Sequence, residues 1–235
     1  NQEIEAQNVA TSGWKFTSTS SYVTMSFWAR SSLAGTYYVL LKSHDGTAQG
    51  FTSAFTLVAD TWKKIEVTVP GNSNITVNTD NGYGLRCYVV PYFGTDYTTS
   101  GHTSDAWQAL SNSNLAPDYA QNWANTANAT FDLTGWQVEV GTSATPFERE
   151  DYSTTLRKCK RYYELLDTTV YPTKYSTVSL GNFFWTEQKR AQPTLTADAN
   201  TGSQTLNPIY TSGGYIYKSS ETTSPIEGMR GDAEL

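Results

Sequence analysis

Residues 131–164 read FDLTGWQVEVGTSATPFEREDYSTTLRKCKRYYE, and this stretch divides the chain in two. Phe131 and Leu133 put apolar side chains on odd positions, whereas Trp136, Val138 and Val140 put them on even ones. Side chains of a strand alternate between faces, so the change of phase at Thr134-Gly135 predicts a strand with a bulge. Gly141 ends that strand, TSATP makes a turn, and Glu148, Glu150 and Asp151 give the next segment an acidic start. Leu156, Cys159, Tyr163 and Leu166 then recur at helical spacing and predict a helix over 152–166. Arg157, Lys158, Lys160 and Arg161 fall within that helix, which suits its dipole only loosely because they are central.

Upstream, Val23, Met25, Phe27 and Ala29 alternate with Tyr22, Thr24, Ser26 and Trp28, a strand with one dry face and one mixed face. Similar runs at 37–41, 51–58, 62–69 and 85–92 are separated by Ala34-Gly35, Asp45-Gly46 and Asn81-Gly82, which mark turns. Regular short strands predict a sandwich. Residues 94–130 are polar and weakly periodic, and a loop of that length in a compact domain is either functional or packed on its own side chains. After the helix, 171–180, 182–188, 194–197, 205–210 and 215–218 read as further strands of a small β unit, marginal in size for one core.

Composition agrees with many strands and polar turns. Of 235 residues only 16% are charged while 14% are aromatic, and the net charge is −6. A duplex binder needs a cationic surface, so unspecific nucleic-acid binding is disfavoured, with the segment 151–166 the one local exception, and no nucleic-acid partner is expected. No apolar run approaches the roughly 20 residues of a membrane helix, so no membrane insertion is expected. The two cysteines, Cys87 and Cys159, make no disulfide framework and read as buried free thiols of a protein assembled in a reducing cytoplasm.

The order of three pieces is specific: TGWQVEVG (134–141), the turn TPFER (145–149), then Cys159, Arg161, Tyr162, Tyr163 and Glu164. With Val23–Ser32, Trp62–Gly71, Asn81–Arg86, Lys189–Thr194 and the terminal Asp232–Leu235, it resembles the structural proteins of tailed bacteriophages over nearly the whole chain. Those of fibre or appendage type carry a jelly roll similar to a carbohydrate-binding module. The resemblance implies an all-β protein: an antiparallel jelly-roll sandwich over 1–147 lacking its N-terminal strands, a turn and connecting helix over 148–166, and a small C-terminal β domain over 167–235. It also implies a tail-fibre, spike or capsid-surface role in host attachment, a homotrimer among other virion proteins, and a chain that is part of a longer polypeptide. A structural calcium would fit such a protein, yet no loop dense in acids and Asn identifies its ligands. Two other readings compete: a secreted carbohydrate-binding module or depolymerase fragment, and a purely structural capsid decoration protein.

Catalytic patterns are missing from the sequence. His44 and His102 lie in separate loops without zinc spacing, no nucleophile elbow or phosphate loop occurs, and no enzyme is expected. Glu66 and Glu139 alternate with apolar neighbours and read as solvent-facing or hydrogen-bonded. Arg230-Gly231-Asp232 spells an adhesion tripeptide but reads as a tail turn, and the Asn74 and Asn128 acceptor patterns matter only in a secretory pathway. Tyrosine and tryptophan remain: 16 and 7 of them, more than a core of this size needs. Trp28, Trp62 and Trp136, in strands, read as core. Trp107 and Trp123, aided by Tyr97 and Tyr119 in the long polar loop, read either as a surface for host polysaccharide, because aromatic plates beside Asn, Gln and Asp suit sugars, or as side chains that pin the loop to the sandwich. Leu156, Cys159, Tyr163 and Leu166 read as the apolar contact of the oligomer.

Overall fold

Alternation of apolar and polar residues governs the fold that follows. A computed structural model describes residues 1–166, 173–175, 178–196, 199–200, 204–218, 226–227 and 229–234. The protein is all-β, and its described residues form antiparallel sheets with two short α-helices. It falls into two units, Asn1–Glu148 and Arg149–Leu235.

The first unit contains β1 (Gln2–Glu5), α1 (Ala6–Thr11), β2 (Tyr22–Ser31), β3 (Gly35–Ser43), β4 (Gln49–Leu57), β5 (Lys63–Pro70), β6 (Tyr83–Val90), β7 (Trp107–Ala109) and β8 (Phe131–Val140). One sheet runs β1-β6-β3-β4-β7 and the other β5-β2-β8. Their dry faces meet in one core: Met25 and Phe27 of β2 and Ile65 and Val67 of β5 lie against Tyr37 and Val39 of β3 and Phe55 of β4. Phe27 is edge-on to Phe55, with ring centroids 5.5 Å apart, and Trp136 packs 5.2 Å from Phe27.

The predicted bulge is present. Ser26 faces Gln137 and Trp28 faces Thr134, so Gly135 and Trp136 together oppose Phe27. Gly135 takes φ +62°, the left-handed conformation that costs a Cβ-free residue little. Below the bulge the strand continues in the opposite phase, which brings Trp136 and Val138 to the core.

Both outer faces are partly covered, and each cover is a segment the sequence reads as turn or loop. Residues 141–148 fold back over the three-stranded sheet as a strap. Glu66 accepts the Ala144 N–H at 2.7 Å, Glu139 accepts the Thr145 N–H at 2.6 Å, and the Gln137 side chain accepts the Glu148 N–H at 2.9 Å. Thr24 also donates to the Gly141 carbonyl at 2.8 Å, and Thr24 and Ser26 are buried on a face that pattern alone would leave wet. The long loop covers the five-stranded sheet: Leu115 and Ala116 are buried, and Thr52 of β4 donates to the Leu115 carbonyl. His102 belongs to this packing, its Nδ1 2.9 Å from the Asn114 carbonyl oxygen, and burial lowers its pKa against that contact.

The second unit contains α2 (Tyr152–Lys160), β9 (Tyr163–Leu166), β10 (Thr173–Tyr175), β11 (Val178–Phe184), β12 (Thr194–Thr196), β13 (Ala199–Asn200), β14 (Gln204–Tyr210), β15 (Gly213–Lys218), β16 (Ile226–Glu227) and β17 (Met229–Asp232). Its sheets run β10-β11-β15-β14, β12-β17-β9 and β13-β16. Leu166, Phe183, Trp185 and Met229 form its core. Beside them Lys189 and Glu164 make a buried ion pair at 2.6 Å, and the Thr186 hydroxyl also donates to Glu164.

The helix is shorter than 152–166. Asp151 caps it by accepting the Thr154 N–H at 3.0 Å, and it ends at Lys160. Tyr163 and Leu166 instead belong to a strand paired with β17, because Glu164 and Leu166 alternate inward there. A short apolar run fits both periods, and tertiary pairing decides between them. The expected strands at 171–180 and 182–188 are also redrawn, since 178–184 is one strand. Tyr171, Ala197 and Leu235, which figured in the expected strands and terminus, lie outside the described residues.

Candidate functional site

The four loop aromatics do not form one surface. The Trp107 indole N–H donates to the Pro70 carbonyl at 2.6 Å and its ring is edge-on to Phe51, so it fastens β7 to the core. Trp123 also packs on the core, and its N–H reaches the Thr130 carbonyl at 3.3 Å. Tyr119 is edge-on to Tyr38 with centroids 4.9 Å apart, donates to the Val90 carbonyl, and has its pKa raised by burial. Tyr97 is the exposed member, against Phe93.

The oligomer candidates also separate. Leu156 and Cys159 lie on the exposed helix and Tyr163 is exposed on β9, but Leu166 is buried in the core of its own unit. Leu165 takes the exposed position beside Tyr163. Cys159 is exposed and therefore not the buried thiol expected, whereas burial pushes the Cys87 thiol up to about 12. Gly231 sits in the middle strand of a three-stranded sheet, where an added Cβ would come within 2.6 Å of the Trp185 ring. The adhesion-like triplet is therefore part of a strand and not a tail turn.

A candidate site among the described residues lies along β5. That strand pairs with β2 on one side, and no described strand pairs with its other edge. β4 is likewise free of a second strand beyond Phe51, where β7 ends its pairing. Between these two edges runs a cleft of about 700 Å³. Phe55, Ile65 and Val67 supply apolar lining, while Ser53, Lys63 and Asp105 supply polar groups. Asp105 holds φ +57° and accepts from the Ser53 hydroxyl at 2.5 Å, and Lys63 donates to the Thr56 carbonyl at 3.0 Å. The size and the mixture of apolar lining with a few fixed polar groups match a small-ligand site.

Outside the cleft lining, on the three-stranded sheet, stand two tryptophans that the core reading misplaced. Trp28 is 44% exposed and Trp62 41%, both on the outer face. Trp28 aligns with Lys64 across β2 and β5, and Arg30 lies over the Trp62 ring at 5.2 Å while pairing with Asp132 at 2.9 Å. Two wet indoles beside a cationic and an anionic group leave apolar faces ringed by hydrogen-bonding partners. Only the phase was legible, since Trp28 shares its alternation with Thr24 and Ser26; the strap that buries those two ends near Phe147, beside Gly135 and half exposed.

Among the described residues no group of His, Cys, Asp or Glu is arranged to hold a metal ion. The chain matches no family model, no curated protein and no solved structure.

Proposed function

We propose that this chain is a non-enzymatic structural protein of a tailed-phage virion, a fibre, spike or capsid-surface appendage, that contributes to recognition of host-surface glycan. The observation that carries the glycan part is the pair of exposed indoles, Trp28 and Trp62, with Arg30, Lys64 and Asp132 close by on the three-stranded sheet. An indole face covers the C–H face of a pyranose, and neighbouring Arg30, Lys64 and Asp132 can hydrogen-bond its hydroxyls. The phage assignment rests on the ordered TGWQVEVG, TPFER and Cys-x-Arg-Tyr-Tyr-Glu pieces. Self-association, as a homotrimer, is supported by apolar side chains left wet on the second unit, among them Phe184 at 74% exposure, Tyr163 and Leu165.

The test is adsorption of the purified chain to host-surface polysaccharide. Trp28→Ala and Trp62→Ala are expected to abolish it while leaving the fold intact. Adsorption unchanged in both variants would refute the site, and no adsorption by the parent chain would refute glycan recognition. Light scattering should return three times the chain mass, and a monomer at micromolar concentration would refute the trimer.

A further inference from the structure

A second surface lies on the outer face of the five-stranded sheet, where a row of charges crosses three strands. Glu3 of β1 faces Arg86 of β6, and Arg86 faces Lys42 of β3. Glu3 and Arg86 form an ion pair. Lys42 has no carboxylate partner among the described residues, so the row holds two cations against one anion in a chain whose net charge is −6.

Like charges directly opposite one another on paired strands are destabilising. The strain registers on Lys42, whose pKa is lowered first by burial and then by the Arg86 charge. A half-buried, unmatched cation is a binding opportunity for an anion, which would supply the missing charge without changing the fold.

Aromatic rings frame this row. Arg86 lies 4.5 Å from the centroid of the Tyr83 ring and 5.8 Å from that of Tyr88, and its Nη1 donates to the Tyr88 hydroxyl at 3.0 Å. Phe93 follows at 6.5 Å from Tyr88, and Tyr97 at 6.3 Å from Phe93. The guanidinium is therefore held through its Nη atoms by Glu3 and Tyr88, its buried Nε has no partner, and Lys42 brings further uncommitted donors.

We infer that the Lys42–Arg86 row is an anion-binding subsite for an acidic saccharide, with Lys42 bonding the carboxylate of a hexuronic acid unit and Tyr88 and Phe93 facing its ring. The inference rests on the glycan reading above and adds a charge class to it. The aromatic faces favour a sugar acid over an acidic peptide, since an extended peptide would use a strand edge and this row lies on a sheet face.

The test is calorimetric titration of the full chain with oligogalacturonate and oligoglucuronate and with their methyl esters, which keep the shape and lose the charge. The acids are expected to bind, and more weakly as salt rises. Lys42→Met should lower affinity about tenfold or more, as for loss of a charged hydrogen bond, and Lys42→Arg should retain binding. Equal binding of acids and esters, no binding of the acids, or full affinity in Lys42→Met would overturn the inference while leaving recognition of host polysaccharide standing. Poly-glutamate bound as tightly as the uronates would overturn the saccharide assignment. Failure of the parent chain to bind either the uronates or host polysaccharide would overturn both readings.

Discussion

Replacing Trp107 by alanine separates a loop that is fastened to the sandwich from one that faces a ligand. The indole packs on Phe51 with centroids 5.8 Å apart and donates its N–H to the Pro70 carbonyl at 2.6 Å. Truncating a buried tryptophan costs about 3–5 kcal/mol, and the lower half of that range applies because Trp107 is only partly buried. The lost hydrogen bond accounts for about 1 kcal/mol of it. For a domain near the size of residues 1–148, each kcal/mol moves Tm by roughly 2–4 °C, so about 3–4 kcal/mol predicts a fall of about 6–16 °C. Trp107→Phe keeps most of the ring and should lose less than half as much. Scanning calorimetry of the full chain, with polysaccharide adsorption measured per folded molecule, reads both quantities. Trp28→Ala and Trp62→Ala should behave in the opposite way, costing about 1 kcal/mol each and removing adsorption. A Trp107→Ala protein melting within about 2 °C of its parent but unable to adsorb would refute this account.

The Lys189–Glu164 pair predicts that Glu164→Gln destabilises the second unit by about 3–5 kcal/mol in urea unfolding, because it strands a buried ammonium. The double change Glu164→Gln with Lys189→Met should recover much of that loss, and equal losses would contradict the charge argument. For Glu139, slight burial raises the pKa but is outweighed by Thr145, Gln137 and Lys64, so its folded pKa lies below its unfolded one. Its contribution to the strap is therefore complete above the ordinary carboxylate range and fades as pH falls through the folded value. Exchange protection of the Thr145 amide should fall on acidification, and should already be low at neutral pH in Glu139→Gln. Cys159 is exposed and Cys87 buried, so one thiol per chain should react with maleimide in the native protein and the other only after unfolding.

Period-two patterning is a local property, and the strands it governs were legible: β2 through β6 and β8, including the bulge at Gly135. Covering segments were not, since nothing local in TSATPFE or in residues 94–130 says which sheet face they will lie on. Trp28 shows the consequence. Its phase placed it on the mixed face, yet residue type argued for a core, and the strap, which ends near Phe147 beside Gly135, leaves it 44% exposed. The helix at 152–166 failed for a different reason, because Tyr163 and Leu166 satisfy both a helical spacing and a strand paired with Met229–Asp232. For the loop aromatics the sequence left pinning and binding open, and the Trp107 and Trp123 hydrogen bonds to backbone carbonyls favour pinning.

Chain continuity makes the strap a link as well as a cover. The polypeptide leaves the first unit through residues 141–148, the segment that directly follows β8. Three N–H groups spaced along it are held by side chains on two different strands, Glu66 on β5 and Gln137 and Glu139 on β8. Followed back from Glu148, the chain meets the Glu148, Thr145 and Ala144 fastenings in turn before it enters the hydrogen-bond ladder between β8 and β2. The last strand of the first unit is thus followed by a stretch secured by side chains alone at three points, set between the backbone ladder and the start of the second unit.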